Sequence, residues 1–194
     1  IQKGDNIMKH RAIDWNFFNW PEIFGTIHAI APMMTNNQHK FMISDIIERT
    51  ISKHSDDQLE YVGHKTVGQD FAGTDGLRYE CKASKSLIQK TKDLTKPITL
   101  KNYRGDCQGI PEQTFDYMLA IDYTRNTVLM ADWNSCLKRR YNERREMISP
   151  KKTRAAFKIR LDENDCEVLA DRVIPKTKTI DIMEKYNDFV ASIG

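Results

Sequence analysis

Between Leu77 and Ser84 the side chains alternate without a break, apolar at 77, 79, 81 and 83 and polar at 78, 80, 82 and 84. A period of two held this long specifies a strand with one buried face. Glu80 and Lys82 therefore share its polar face. Ahead of the strand stands the turn sequence Gly73-Thr74-Asp75-Gly76. A three-residue loop of Thr74, Asp75 and Gly76, with glycine in the left-handed position, pairs Gly73 with Leu77 and sets Asp70 opposite Glu80. A two-residue Asp75-Gly76 turn instead sets Asp70 against Cys81 and leaves Asp75, or a bulge, to supply the first acid. Opposed residues of an antiparallel pair have Cβ atoms about 5 Å apart, so in the first register two carboxylates and an ammonium converge around a space that fits one cation. Like charges so placed are unfavourable unless something neutralises them. Oxygen ligands of this kind suit Mg²⁺, with Mn²⁺ as a substitute. The plain alternative is a half-exposed hairpin in which Lys82 screens the acids.

The rest of the composition narrows the chemistry. The 194 residues, 40% apolar and 29% charged, are expected to form one globular domain, residues 1–194. No apolar run approaches the ~18 residues needed to span a bilayer. The start of the chain lacks a signal-peptide pattern, so a cytoplasmic location is expected. Cys81, Cys107, Cys136 and Cys166 stand too far apart for a zinc motif, and the five histidines make no His-Glu-x-x-His helix. Chemistry must then come from carboxylates. Lys138 to Arg160 holds ten Lys and Arg against Glu143 and Glu146, although the whole chain carries only +3. That concentration suits a polyanion-binding surface or a solvated helix face.

Periodicity gives a coarse map. Residues 1–37 are irregular and aromatic-rich (Trp15, Phe17, Phe18, Trp20, Phe24), expected to pack on the core or on a second subunit. From about Gln38 to Lys53, Ile43, Ile46, Ile47 and Ile51 recur at helical spacing, with Asp45, Glu48 and Ser52 on the other side. Strands are expected over Leu59 to Val62, Thr66 to Phe71, Leu77 to Ser84, Tyr117 to Tyr123, Thr127 to Ala131 and Ala155 to Leu161. A polar helix is expected from Trp133 to about Met147 and a closing helix from Thr179 to Ile193. Lys85 to Pro111 is long, without clear period, and suited to function. The fold class is α/β of the α+β type, a mixed central sheet flanked by helices, with a core at 38–161 and a helical closure at 162–194.

Asp70, a turn and Glu80-x-Lys82 together resemble the PD-(D/E)XK nuclease signature, an acid ending one strand and acid-x-lysine on the next. Among type II restriction endonucleases the sequence is most similar to the PvuII type, with nine residues between the two acids and a basic, poorly periodic segment after them. Gln69 stands where that signature has proline. The likeness spans roughly Leu59 to Leu161. It implies a restriction-endonuclease-like fold and Mg²⁺-dependent, sequence-specific cutting of double-stranded DNA, leaving 5′-phosphate and 3′-hydroxyl ends. Asp70, Glu80 and the Cys81 backbone carbonyl would hold the cation, and Lys82 would sit beside the attacking water. Glu48 stands where many relatives carry an extra acid for a second cation, and it also reads as a solvated helix residue.

Base reading needs side chains such as Asn102, Tyr103, Arg104 and Gln108 in the long segment. Lys85, Lys90, Lys92, Arg139, Arg140, Arg144 and Arg145 suit phosphate contacts. The resemblance also implies a twofold homodimer, for which the N-terminal segment is a candidate interface. Two other readings fit the same residues: a structure-specific or repair nuclease, and a non-catalytic DNA-binding protein with a purely structural hairpin.

Overall fold

The computed structural model describes residues 11–31, 37–63, 68–84, 98–103, 113–149, 152–160 and 166–176. Its elements in order are a 3-10 turn (Trp15–Phe17), α1 (Trp20–Ile30), α2 (Asn37–Lys53), β1 (Leu59–Tyr61), β2 (Phe71–Gly73), β3 (Arg78–Ser84), β4 (Ile98–Tyr103), β5 (Tyr117–Asp122), β6 (Thr127–Asp132), α3 (Trp133–Lys138), β7 (Arg140–Ser149), β8 (Lys152–Ile159) and β9 (Glu167–Ala170). The fold is mixed α+β. Six strands form one sheet in the order β1-β2-β3-β5-β6-β9, and β4-β8-β7 form a second of three. Only β3 and β5 run parallel in the large sheet; its other pairs are antiparallel. A parallel neighbour demands a long crossover, and the chain between Ser84 and Tyr117 makes it, contributing β4 to the small sheet on the way.

Alternation along β5 and β6 sorts the core into two layers. On one face Leu119, Ile121 and Val128 pack with Tyr79, Cys81 and Phe71 against α1 and α2, through Ile23, Phe24, Ile27, Ile47 and Ile51. On the other, Met118, Ala120, Leu129 and Ala131 pack with Phe115, Trp133, Cys136 and Ile159. Each large apolar side chain so buried contributes roughly 1.5–3 kcal/mol.

Over residues 11–31 the N-terminal region is not irregular. Asn19 caps α1 by accepting the Glu22 N–H, Pro21 sits in the first turn, and the helix follows. Of its aromatic residues Phe18, Trp20 and Phe24 lie in the chain's own core, and among the described residues of the segment Phe17 is the exposed large apolar side chain, at 60%. Gly25 is required where the chain crosses α1, because a Cβ there would stand 2.1 Å from the Lys176 carbonyl oxygen.

Three further expectations change. The helix expected from Trp133 to Met147 lasts only to Lys138, started by Asp132 accepting the Ser135 N–H; the rest is β7, paired along β8. Arg, Glu and Met favour helix intrinsically, but pairing with the Ala155-Ala156-Phe157 strand outweighs that preference. The strand placed at Thr66 to Phe71 is found at Phe71–Gly73, closer to the turn. Residues 162–194 are not purely helical, since β9 adds an edge strand to β6. The helix expected from Thr179 to Ile193 lies outside the described residues, as do Thr66 and Val67. Among the described residues no helix is long and apolar enough to cross a membrane.

Candidate active site

The site is built on the β2–β3 hairpin. Gly73 donates its N–H to the Leu77 carbonyl at 2.9 Å, and Phe71 pairs with Tyr79, so the loop is Thr74, Asp75 and Gly76. Gly76 has φ of +81°, the left-handed conformation that a three-residue loop needs. The Asp75 carboxylate belongs to this turn: it accepts from the Leu77 N–H at 3.0 Å and from the Tyr79 hydroxyl at 2.7 Å. Of the two registers open to the sequence, the longer loop is the one formed.

Pairing stops at Phe71, one residue short of Asp70. Asp70 donates its N–H to the Tyr79 carbonyl at 2.8 Å, and its Oδ2 accepts the Cys81 N–H at 2.7 Å. The carboxylate is thus fastened to β3 beside Glu80, with no described residue bonded to its Oδ1. Across the parallel pair, Glu80 and Lys82 stand opposite Met118 and Ala120. The Lys82 Nζ bonds to a Glu80 carboxylate oxygen and, at 2.9 Å, to the Cys81 carbonyl oxygen. One ammonium therefore bridges two of the three groups expected to hold a cation.

The third acid of the cluster comes from α2. Asp45 and Glu48 lie on the polar side of this helix, where Glu48 reads either as a solvated residue or as an extra cation-binding acid, and each is only 5% exposed. Asp45 is satisfied by the Tyr61 hydroxyl and by Arg49 at 2.8 Å, whose guanidinium lies 4.7 Å from the centre of the Tyr61 ring. Glu48 differs, because its Oε2 is buried with no hydrogen-bond partner among the described residues. A buried carboxylate oxygen left without a partner costs about 1–3 kcal/mol or more.

Electrostatics tie these groups together. Burial, followed by the charge of Asp70, pushes the Glu48 carboxyl up to about 9; Asp45 and Glu80 add to this and Lys82 opposes it. Burial also drives Glu80 above the usual carboxylate range, against the pull of Lys82 and with the push of Asp70. For Lys82 burial favours the neutral amine, but Glu80 and Asp70 outweigh it and hold the ammonium above its ordinary value. The cluster gathers more carboxyls than one lysine can answer, and the raised Glu48 and Glu80 carboxyls report that crowding.

The donor set fits a hard divalent cation, being carboxylates, a backbone carbonyl and one orphaned buried oxygen. Asp70, Glu80 and the Cys81 carbonyl are the residues that could hold it, with Glu48 adjacent. Among the described residues no group of three or more His, Cys, Asp or Glu side chains is placed to hold a metal ion. Mg²⁺ does not require such a group, since it takes one or two carboxylates and completes its shell with water and substrate oxygen.

The expected DNA contacts are dispersed. Asn102 and Tyr103 end β4, Arg139 follows α3, and Arg140, Arg144 and Arg145 lie in β7. Lys85, Lys90, Lys92, Arg104 and Gln108 lie outside the described residues. Sequence reasoning missed two charged groups that shape the site. The Asp45–Arg49 pair was visible as an i,i+4 spacing, but its link to Tyr61 is tertiary. Arg78, on the polar face of β3, clamps Asp116 through Nε at 3.1 Å, Nη2 at 3.0 Å and its own N–H at 2.8 Å. Compared with known proteins, the chain matches no family model, no curated protein and no solved structure.

Proposed function

We propose that the chain is a Mg²⁺-dependent DNA endonuclease with a restriction-endonuclease-like fold, making sequence-specific double-strand cuts in the manner of a type II restriction enzyme. The observation that carries this reading is the gathering of Asp70, Glu80 and the orphaned Glu48 carboxyl around Lys82 at one hairpin. A structural hairpin has no use for three clustered acids, one of them with a buried oxygen unbonded. A phosphodiester hydrolase does.

Asp70, Glu80 and the Cys81 carbonyl would hold Mg²⁺, which would supply positive charge at the phosphoryl oxygens and lower the pKa of water. The chain's own groups do the rest. The Cys81 N–H fixes one Asp70 oxygen and so orients the other. Lys82, anchored on Glu80 and the Cys81 carbonyl, presents an ammonium next to the acids; released from them, it orients the attacking water and stabilises negative charge developing on the phosphate. Hydrolysis adds water across one P–O bond, and the resemblance to PD-(D/E)XK nucleases implies that the 3′ oxygen leaves. A twofold dimer belongs to the same proposal, because a palindromic site offers two equivalent bonds.

The test is a digest of unmethylated phage DNA with Mg²⁺, alongside Glu80→Ala. Sharp fragments that disappear in the variant support the reading. A smear favours a nuclease that cuts by DNA shape, and no cleavage across several unmethylated DNAs sinks the proposal.

A further inference from the structure

The correction at β7 regroups the basic residues between Lys138 and Arg160. On a helix they would have encircled the axis. On strands, register decides which of them share a face. Arg144 pairs with Ala156, Glu146 with Arg154 and Tyr141 with Lys158. On the other side of β8, Thr99 pairs with Lys158 and Lys101 with Ala156. These positions, together with Lys152 at the start of β8, lie on one face of the three-stranded sheet. Arg140 and Arg145 take the opposite face, in register with Ile159 and Ala155.

Two adjacent residues orient the sheet. Ile159 is fully buried in the cluster with Phe115, Trp133 and Cys136, whereas Lys158 is half-exposed. The face of Ile159 therefore covers the large sheet and the face of Lys158 turns away from it. By register, Lys101, Arg144, Lys152, Arg154 and Lys158 take positions on that outer face, together with Glu146.

We infer that this outer face of β4-β8-β7 is a binding surface for double-stranded DNA, holding the phosphates on either side of one groove. Strands about 4.8 Å apart make a three-stranded face roughly 10 Å across, close to the ~12 Å width of the major groove of B-DNA. Same-face residues recur about every 7 Å along each strand, which spaces the cations along a backbone. The charge complements a polyanion, and the dimensions favour a duplex over a flat membrane or a compact acidic protein. The surface deepens the nuclease reading and rests on it for the choice of duplex DNA, but binding itself needs no metal.

The experiment measures binding of a short fluorescent duplex by anisotropy in EDTA, between about 50 and 200 mM salt. Arg144→Gln/Arg154→Gln/Lys158→Gln is compared with wild type and with Lys53→Gln, an exposed lysine at the end of α2. Taking one cation away from a phosphate flattens the plot of log affinity against log salt by about 0.9. The triple variant is expected to bind more than tenfold more weakly and to show a slope shallower by two to three such steps, with Lys53→Gln unchanged. Thermal melting verifies folding; if the triple variant does not fold, Lys158→Gln alone is expected to remove one step. An unaltered slope in a folded variant overturns the inference. So does wild-type binding to anionic vesicles in preference to duplex. Salt-sensitive duplex binding without Mg²⁺-dependent cutting would sink the nuclease reading and leave this surface standing, whereas cutting with unaltered variants sinks the surface alone.

Discussion

Strand β3 carries two acid–base pairs on its polar face, and they behave in opposite ways. At its start Arg78 grips Asp116 from the neighbouring chain segment with three bonds, Gln113 adds a fourth at 2.9 Å, and the Asp116 carboxyl is held below its usual range by the Arg78 hydrogen bonds. Further along the same face Lys82 meets Glu80, and Glu80 is pushed up. The difference lies in what surrounds each acid. Asp116 is partly exposed and answered by a planar guanidinium that matches its two oxygens. Glu80 is only 7% exposed, is crowded by Asp70, and shares its lysine with the Cys81 carbonyl. One pair is complete and holds the sheet together. The other is incomplete and is held in place by the fold around it.

The sharpest way to break this contrast is to remove each lysine or arginine in turn. Lys82→Ala is expected to reduce cleavage by about 10²–10⁴-fold, the usual cost of losing a positioned charge or proton-transfer group, while changing melting little in Mg²⁺. Arg78→Ala is expected to do the reverse. It leaves a partly buried Asp116 unanswered and costs about 1–2 kcal/mol, discounted for exposure, with cleavage per folded molecule retained. Single-turnover rates and denaturant melts of the two variants decide it; equal losses of activity would erase the distinction between the pairs.

Acidity sharpens the contrast further, because the two ends of β3 contribute opposite signs. Glu48 and Glu80 have folded pKa values above their unfolded ones, so the folded state binds more protons; for Glu48 stability falls as pH rises from about 4.5 toward 9, and Glu80 adds a loss of the same sign. The slope is limited to about 1.4 kcal/mol per pH unit for each such group. Asp116 is depressed, so its contribution is present above its ordinary pKa of 3.8 and disappears as pH falls below it. In EDTA the protein should therefore melt higher at pH 5.5 than at pH 8. Glu48→Gln should flatten that dependence, because a neutral amide removes the buried charge. Added Mg²⁺ should raise the melting temperature at pH 8 more than at pH 5.5, and a metal response independent of pH would contradict the assignment of these acids as its ligands.

Much of the hairpin was legible because its information is local. Period-two alternation fixed the shared face of Glu80 and Lys82, and Gly76 in a Thr-Asp-Gly loop carried the register. The amphipathic helix was legible too, but the wrong part of its polar stripe was assigned to water. Asp45 and Glu48 are buried because Tyr61 and the hairpin cover them, and nothing in the helix sequence announces that cover. The Arg140–Ser149 strand was hidden for the same reason: its identity comes from pairing with a partner, not from its own residues. Sequence therefore located the acids on β3 and left Glu48 of α2 open between an extra cation-binding acid and a solvated helix residue, because its burial is tertiary. It found the basic segment and misjudged its shape.

Asp75 gives the smallest expected effect and the cleanest check on which acids belong to the site. It stands only five residues before Glu80, and a shorter turn would have made it a ligand. Both of its oxygens are instead committed within the turn, one to the Leu77 N–H and one to the Tyr79 hydroxyl. Asp75→Ala should cost about 1 kcal/mol, since the Tyr79 hydroxyl loses its partner in a buried ring. Its Mg²⁺-induced rise in melting temperature should match wild type, whereas Asp70→Ala should lose most of that rise. Titration calorimetry with Mg²⁺ separates the two. If Asp75→Ala weakened the cation as much as Asp70→Ala, the turn would be part of the site, and the incomplete charge set on β3 would extend past Glu80 into the loop.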